Sequence, residues 1–279
     1  MKVVTTEKDL KTLLEAVKKA KKTIGFVPTM GALHQGHISL LEAAKKKTKL
    51  VVASVFVNPN QFNDKKDFER YPRTPDKDIK MLKDAGADVV FMPDEKTVYP
   101  KPDKRKFSFG KLDQILEAKH RPGHFNGVAQ VVSRLLELVQ PDSLFLGQKD
   151  FQQTLVIKEL IKQINSKVEV VVCPIVRDSE KVAMSSRNAL LSAEEYDEAT
   201  FIPLWMEEVK TLAMRYKVSQ IKARVETLVS QRKMMKLDYF EICDTETLEP
   251  VKEFSDADQC IALIAIQVGK IRLIDNQIL

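Results

Sequence analysis

Apolar positions change their period several times along the chain, and each change marks an element. Residues 6 to 22 carry Leu10, Leu13, Leu14 and Val17 at helical spacing behind Thr6, which predicts an amphipathic helix capped by that threonine. Ile24 to Val27 is a short unbroken apolar run, a buried strand that Pro28, lacking a ladder donor, is expected to stop. Gly31 allows a tight turn, and from about Gly36 the positions Ile38, Leu40, Leu41 and Ala44 predict a helix to about Lys47. Leu50 to Val57, L-V-V-A-S-V-F-V, is an apolar run but for Ser54, the pattern of a central parallel strand. The alternation goes on with a helix at about 76–85, a strand at 88–92, a helix at 128–139, a strand at 143–147, a helix to 164 and a strand at 168–173. Between them, residues 67–74 read as a Pro-broken loop, and the Pro- and Lys-rich residues 93–110 as an excursion near a sheet edge.

Strands alternating with helices predict an α/β fold, a Rossmann-like doubly wound parallel sheet. Past the segment 174–192 the order changes. Helices at about 193–214 and 218–235 precede strands at 237–243, 260–268 and 271–275, which predicts a separate, smaller α+β domain. The expected division is therefore 1–175 and 176–279.

Composition narrows the class. A chain of 279 residues with 44% apolar and 30% charged residues can bury a sizeable core. No apolar run approaches the ~18 residues that span a bilayer, and the start M-K-V-V-T-T-E-K-D-L carries charge where a signal peptide needs an apolar stretch. Cys173, Cys243 and Cys260 are odd in number and far apart, small buried hydrophobes of a reducing compartment; a cytoplasmic enzyme without a membrane partner is expected. Much of the net charge of +6 sits in Lys18 to Lys22 and Lys45 to Lys47, where helices end and cations complement the dipole. Solvated helix ends account for these lysines better than a nucleic-acid patch, which needs interleaved aromatics.

Candidate chemistry concentrates in T-I-G-F-V-P-T-M-G-A-L-H-Q-G-H-I-S-L-L, residues 23 to 41. A strand feeding a Gly turn and then a helix leaves unpaired N–H groups at the positive end of a dipole, which suits an anion. His34 and His37 share a helical face there and suit a polyphosphate. The other readings are a zinc pair or two surface histidines; no acidic, Cys or His cluster nearby supplies further zinc ligands. Asn58 to Phe62 leaves the C-terminal end of the central strand, where open α/β sheets bind ligands. His120 and His124 are separated by Pro122 and Gly123 and form no helical pair; His124 either anchors the turn or faces a ligand. Lys149, just past a strand end, could meet a developing phosphate charge or pair with Asp150 at the surface. Pro174 to Ser192 is either a linker or a loop that grips phosphate, and M-S-S-R-N after a strand end favours the loop.

The motif H-Q-G-H resembles the H-x-G-H signature of the nucleotidyltransferase superfamily. The ordered set F-V-P-T-M-G-A-L-H-Q-G-H, S-V-F-V-N-P-N-Q-F, Y-P-R-T, R-P-G-H-F-N-G-V, L-G-Q-K-D-F-Q-Q, M-S-S-R-N and R-L-I-D-N is similar to the pantothenate synthetase (pantoate–β-alanine ligase) family over nearly the whole chain. The resemblance implies ATP-dependent condensation of pantoate with β-alanine through pantoyl adenylate. It further implies that His34 and His37 hold the β and γ phosphates. Lys149, Ser185, Ser186 and Arg187 would offset phosphate charge, and Gln61 and Gln153, with Asn58 nearby, would bind pantoate. Pro28, Thr29, Met30 and Gly147 would line the nucleotide and acid pockets; Gly31, Gly36, Val176 and Met184 complete the ATP set, with Asp150 near the ribose. Residues 1–175 would bind nucleotide and pantoate and 176–279 act as a lid. Magnesium would be held by the ATP phosphates rather than by protein, and the assembly would be a homodimer. Three departures stand out: Glu180-Lys181 where the family has an acidic residue and Gly, Ala118 where it has Gly, and Asn60 for a common Thr. The competing readings are another H-x-G-H nucleotidyltransferase and a basic RNA-binding protein on a similar fold.

Overall fold

A computed structural model describes residues 1–63 and 65–279, which form two compact units. One comprises Met1–Gln148 with Gln152–Pro174, the other Lys149–Phe151 with Ile175–Leu279. Up to Cys173 the chain runs β1 (Lys2–Val4), α1 (Glu7–Lys19), β2 (Ile24–Thr29), α2 (Gln35–Lys47), β3 (Leu50–Val55), α3 (Lys65–Arg70), α4 (Pro75–Asp84), β4 (Val89–Phe91), α5 (Glu95–Val98), α6 (Glu117–His120), α7 (His124–Val139), β5 (Ser143–Gly147), α8 (Phe151–Gln163) and β6 (Glu169–Cys173). It continues as α9 (Ala193–Ala199), α10 (Phe201–Leu212), α11 (Val218–Ser230), β7 (Met235–Asp244), β8 (Cys260–Val268) and β9 (Ile271–Ile278).

The first sheet is wholly parallel in the order β1-β4-β3-β2-β5-β6. From β2 the chain steps outward through β3 to β4, then returns to the other flank with β5. The switch point thus lies between β2 and β5, where doubly wound sheets bind ligands at the strands' carboxyl ends. Successive strand residues feed opposite faces. Phe26 and Val52 pack with Leu10 and Leu14 of α1 and Val132 and Leu136 of α7, while Val27, Val51 and Ala53 pack with Leu41 and Ala44 of α2 and Leu82 of α4. Phe26 is fully buried, so its truncation to Ala would cost about 3–5 kcal/mol. In the second unit α10 and α11 lay Trp205, Met206, Ile221 and Val225 on an antiparallel sheet β7-β8-β9 through Ile242, Ile264 and Ile266. The doubly wound parallel sheet followed by a small α+β unit is the architecture the sequence predicts.

Several boundaries differ. Pro28 does not stop β2, which pairs with β3 as far as Thr29. The Thr23 and Thr29 carbonyls face β3 and Ile24 faces β5, so by alternation the Pro28 nitrogen points toward β5, whose ladder with β2 covers only Gly25 and Phe26. The missing donor removes no ladder bond. The stretch 67–74 is not all loop: α3 occupies its first part, and the Arg73 guanidinium covers the carbonyls of Phe68 and Tyr71 near the helix end. Residues 99–109 cross α7 instead of following a sheet edge, with Gln130 donating to the carbonyls of Asp103 and Arg105. The helix expected over 193–214 breaks after Ala199, because Pro203 has no N–H to return to that carbonyl. Among the described residues, no helix is long and apolar enough to cross a membrane.

Candidate functional site

In the first unit the site residues follow from the end of β2. Thr29 donates its hydroxyl to the Ser54 carbonyl (2.7 Å) and accepts from the Gly31 N–H (3.2 Å), which turns the chain. Gly31 sits at φ +82° and Ala32 at φ +49°, a left-handed pair that Ala does not adopt unaided. What holds it is Asp78 of α4, 1% exposed, whose carboxylate accepts from the N–H groups of Ala32 (3.0 Å) and Leu33 (2.8 Å) and from the Thr74 hydroxyl (3.2 Å). His34 then caps α2: its Nδ1 accepts from the Gly36 N–H (3.2 Å), and the Nδ1 of His37 accepts from the His34 N–H (3.3 Å). The rings lie 4.1 Å apart. With both Nδ1 atoms accepting, each neutral ring carries its proton on Nε2, so the pair presents imidazole donors beside the positive end of the helix.

A second group surrounds the 3-10 turn Pro59–Gln61. Asn58 is 1% exposed and both ends of its amide are engaged. Its Oδ1 accepts from the Tyr99 hydroxyl (2.9 Å) and the Asn60 N–H (3.3 Å), and its Nδ2 donates to Gln61 Oε1 (3.2 Å) and the Gly127 carbonyl (3.1 Å). Burial pushes the Tyr99 phenol well above its ordinary pKa, so it stays a donor. The Gln61 oxygen is thereby turned inward and its Nε2 approaches the Met30 sulfur at 3.0 Å. His124 settles as an anchor, its Nδ1 lying 2.8 Å from the Gln61 carbonyl. α7 comes so close that a Cβ on Gly127 would run into the Asn60 carbonyl. Asn60, the departure from the common Thr, donates to Gln130 Oε1 (3.1 Å). Gln153 lies on the first turn of α8, partly exposed.

Gly147 of the first unit, which ends β5, leads into the 3-10 turn Gln148–Asp150, whose central Lys149 belongs to the second unit. Lys149 Nζ is 3.9 Å from Asp150 Oδ2, at the limit of an ion pair and half exposed on the Asp side, worth ~0–1 kcal/mol. Residues 176–184 form a hairpin, with Met184 N–H donating to the Val176 carbonyl (3.0 Å) and a bridge between Arg177 and Ala183. Ser185 follows and caps the 3-10 helix Ser186–Leu190 by accepting from the Arg187 N–H (3.3 Å). Lys181, where the family has Gly, adopts φ +65° at the hairpin tip. Tyr196 donates to Asp178 beside the hairpin tip (2.7 Å); burial and that carboxylate push its phenol up to about 12. Within each unit the expected residues are thus brought together: Thr29, Gly31, His34 and His37 in one turn, Met30, Asn58 and Gln61 in another, Val176, Met184, Ser185 and Arg187 in one loop.

Sequence reasoning missed Asp78, Tyr99, Gln130, Asp275 and Asn276. Asp78 left a trace, since it lies four residues before buried Leu82 and so on the inward face of α4; the others had none beyond the R-L-I-D-N motif.

An open parallel sheet whose central strand feeds an imidazole-capped helix start defines a doubly wound α/β protein built to receive phosphorylated ligands. The comparison with known families is narrower. The family model described as pantoate-beta-alanine ligase matches residues 2–278, and the chain belongs to that family. A pantothenate synthetase of Bacteroides thetaiotaomicron is 45% identical over 276 residues, covering 99% of this chain and 98% of that one; another, of Caldicellulosiruptor saccharolyticus, is 42% identical with the same coverage. The crystal structure of pantothenate synthetase from Thermus thermophilus superposes with a TM-score of 0.93 at 37% identity, covering 99% of both chains. A pantoate-beta-alanine ligase from Francisella tularensis, solved with beta-gamma ATP and beta-alanine, has a TM-score of 0.81 at 32% identity, covering 100% of this chain and 97% of that one.

Proposed function

We propose that this enzyme condenses pantoate with β-alanine using ATP, in two steps. A pantoate carboxylate oxygen attacks the α-phosphorus, the bond to the bridging oxygen of pyrophosphate breaks, and pantoyl adenylate forms. The β-alanine amine then attacks the acyl carbon, the acyl–phosphate C–O bond breaks, AMP departs, and the amine proton passes to solvent or phosphate. The observation that carries this reading is the His34–His37 capping box at the carboxyl end of the central strand, in a chain of this family.

Like-charge repulsion opposes the first step, so it needs fixed donors and cations where phosphate charge grows. His34 and His37 take the β and γ phosphates through Nε2–H, with the first N–H groups of α2 behind them. Lys149, Ser185, Ser186 and Arg187 offset charge on the transferring phosphate; Pro28, Thr29, Met30, Gly31, Gly36, Gly147, Val176 and Met184 shape the nucleotide and acid sites, and Asp150 takes the ribose. Gln61 and Gln153 bind pantoate, with Asn58 acting through Gln61, whose inward-turned oxygen leaves its NH₂ to donate one hydrogen toward Met30 and the other to a pantoate oxygen. The ATP phosphates would carry the magnesium, which prefers phosphate oxygens and retained waters and would offset phosphate charge there. A homodimer in the cytoplasm completes the proposal, and light scattering tests the assembly.

ATP–pyrophosphate exchange with pantoate alone tests the reaction. Exchange that requires pantoate, followed by AMP and pantothenate release on adding β-alanine, is expected. Exchange supported only by a different acid would replace the substrate assignment.

A further inference from the structure

The C-terminal motif R-L-I-D-N has no role in the scheme so far, yet two of its residues are among the most buried polar groups of the second unit. Asp275 is 3% exposed and Asn276 is 2% exposed, both within β9. Asp275 grips Arg177 with both carboxylate oxygens (2.7 and 2.9 Å), and Arg177 in turn donates to the Lys181 carbonyl at the hairpin tip (3.0 Å). Its neighbour Asn276 donates through Nδ2 to the carbonyl of Lys149 (3.0 Å). The Asn276 N–H also donates to Asp275 Oδ1 (2.8 Å), which ties the two side chains into one unit.

We infer that Asp275 and Asn276 are positioning residues for adenylate formation: one dipeptide sets the Lys149 turn and the hairpin leading to Ser185–Arg187 in a common register. The inference rests on the proposed ligase reading. Its chemistry is geometric. A bidentate carboxylate–guanidinium pair fixes direction as well as distance, and a main-chain carbonyl held by a buried amide cannot drift. A lysine on a long flexible stem can meet a developing charge at low entropic cost only if its own backbone stays put, and a displacement near 1 Å is enough to lose on the order of a hundredfold in rate.

The decisive experiment compares the two half-reactions in Asn276→Asp, which is isosteric but has no donor for the Lys149 carbonyl, and in Arg177→Lys, which keeps the charge but loses the fork. Pantoate-dependent ATP–pyrophosphate exchange measures the first step. A rapid-quench chase of preformed enzyme-bound adenylate with β-alanine measures the second. Asn276→Asp should lower exchange kcat by on the order of tenfold to a hundredfold with the pantoate KM little changed, and leave the chase rate within about twofold. Arg177→Lys should give a smaller loss confined to the same step, and it carries the test alone if Asn276→Asp does not fold. Equal losses in both half-reactions, or unchanged exchange in the folded variants, would overturn the assignment. Absence of exchange in the wild type would instead defeat the ligase reading itself.

Discussion

The helix start at His34 and the turn at Lys149 are held in place by different means. The two histidines cap each other within four residues of chain, through main-chain and ring atoms of a single turn. Lys149 is held by an amide 127 residues away, and the hairpin before Ser185 by a carboxylate 98 residues away. The bonds of the capping box itself join residues of a single turn, although Asp78 of α4 holds the chain that leads into it. A long-range clamp exists only once the rest of the unit has folded around it, so the task proposed for both places, presenting donors to phosphate, rests mainly on local bonds in one and wholly on tertiary structure in the other.

The largest test of this contrast is His34→Ala. It should lower pantoate-dependent exchange about a hundredfold or more, while the lost cap lowers stability by only about 1 kcal/mol in urea denaturation. Near-normal exchange would remove His34 from the phosphate site. Next comes Asp78→Asn, which removes a long-range support of the local box. Its amide must turn a donor toward the Ala32 or Leu33 N–H, and a loss of about 1–3 kcal/mol in stability with reduced exchange is expected. A variant as stable and active as wild type would show that the turn stands without it. Gly127→Ala should press α7 away from the Asn60 carbonyl at about 1–3 kcal/mol, and raise the KM for pantoate before it affects the KM for ATP.

Smaller effects are expected at the periphery. Lys181→Gly relieves a left-handed residue and gives up only an exposed contact with Glu207 (3.2 Å). Stability should rise by up to about 1 kcal/mol with exchange unchanged or higher, and a large loss of activity would mean that Lys181 touches substrate. Smallest is the acid limb of stability. The Arg105 guanidinium holds the Asp103 carboxyl below the usual range, so its contribution is complete above about pH 4 and fades as pH falls through the lowered value. Asp103→Asn should therefore flatten the fall in urea midpoint on acidification, and an unchanged acid limb would assign that fall to other carboxylates.

How much of this was legible in the sequence follows the same contrast. Periodicity located β2 to β6 and the order of the second unit, because each strand is apolar on the faces it buries. The pairing of His34 with His37 at a helix entrance could be read directly, since both lie within one turn, but the hold of Asp78 on the preceding residues could not. Short elements such as β1 and α3 carry too few apolar positions for a period to register. Asp275 and Asn276 read as an ordinary polar step in a strand, and nothing near them in the chain says that their partners are Arg177 and Lys149. Asn58 was visible as a polar residue after a strand, but its burial and its grip on Gln61 depend on Tyr99 and Gly127, contributed by later segments.

The proline within β2 has a chemical corollary. Any hydrocarbon portion of a ligand that settles against a strand's open flank strips water from the peptide groups beneath it, and a stranded amide hydrogen there would weaken binding by about 1–3 kcal/mol. At position 28 there is no such hydrogen to strand. The flank facing the switch point is therefore free of a committed donor at this position, while the neighbouring Val27 and Thr29 amides face β3.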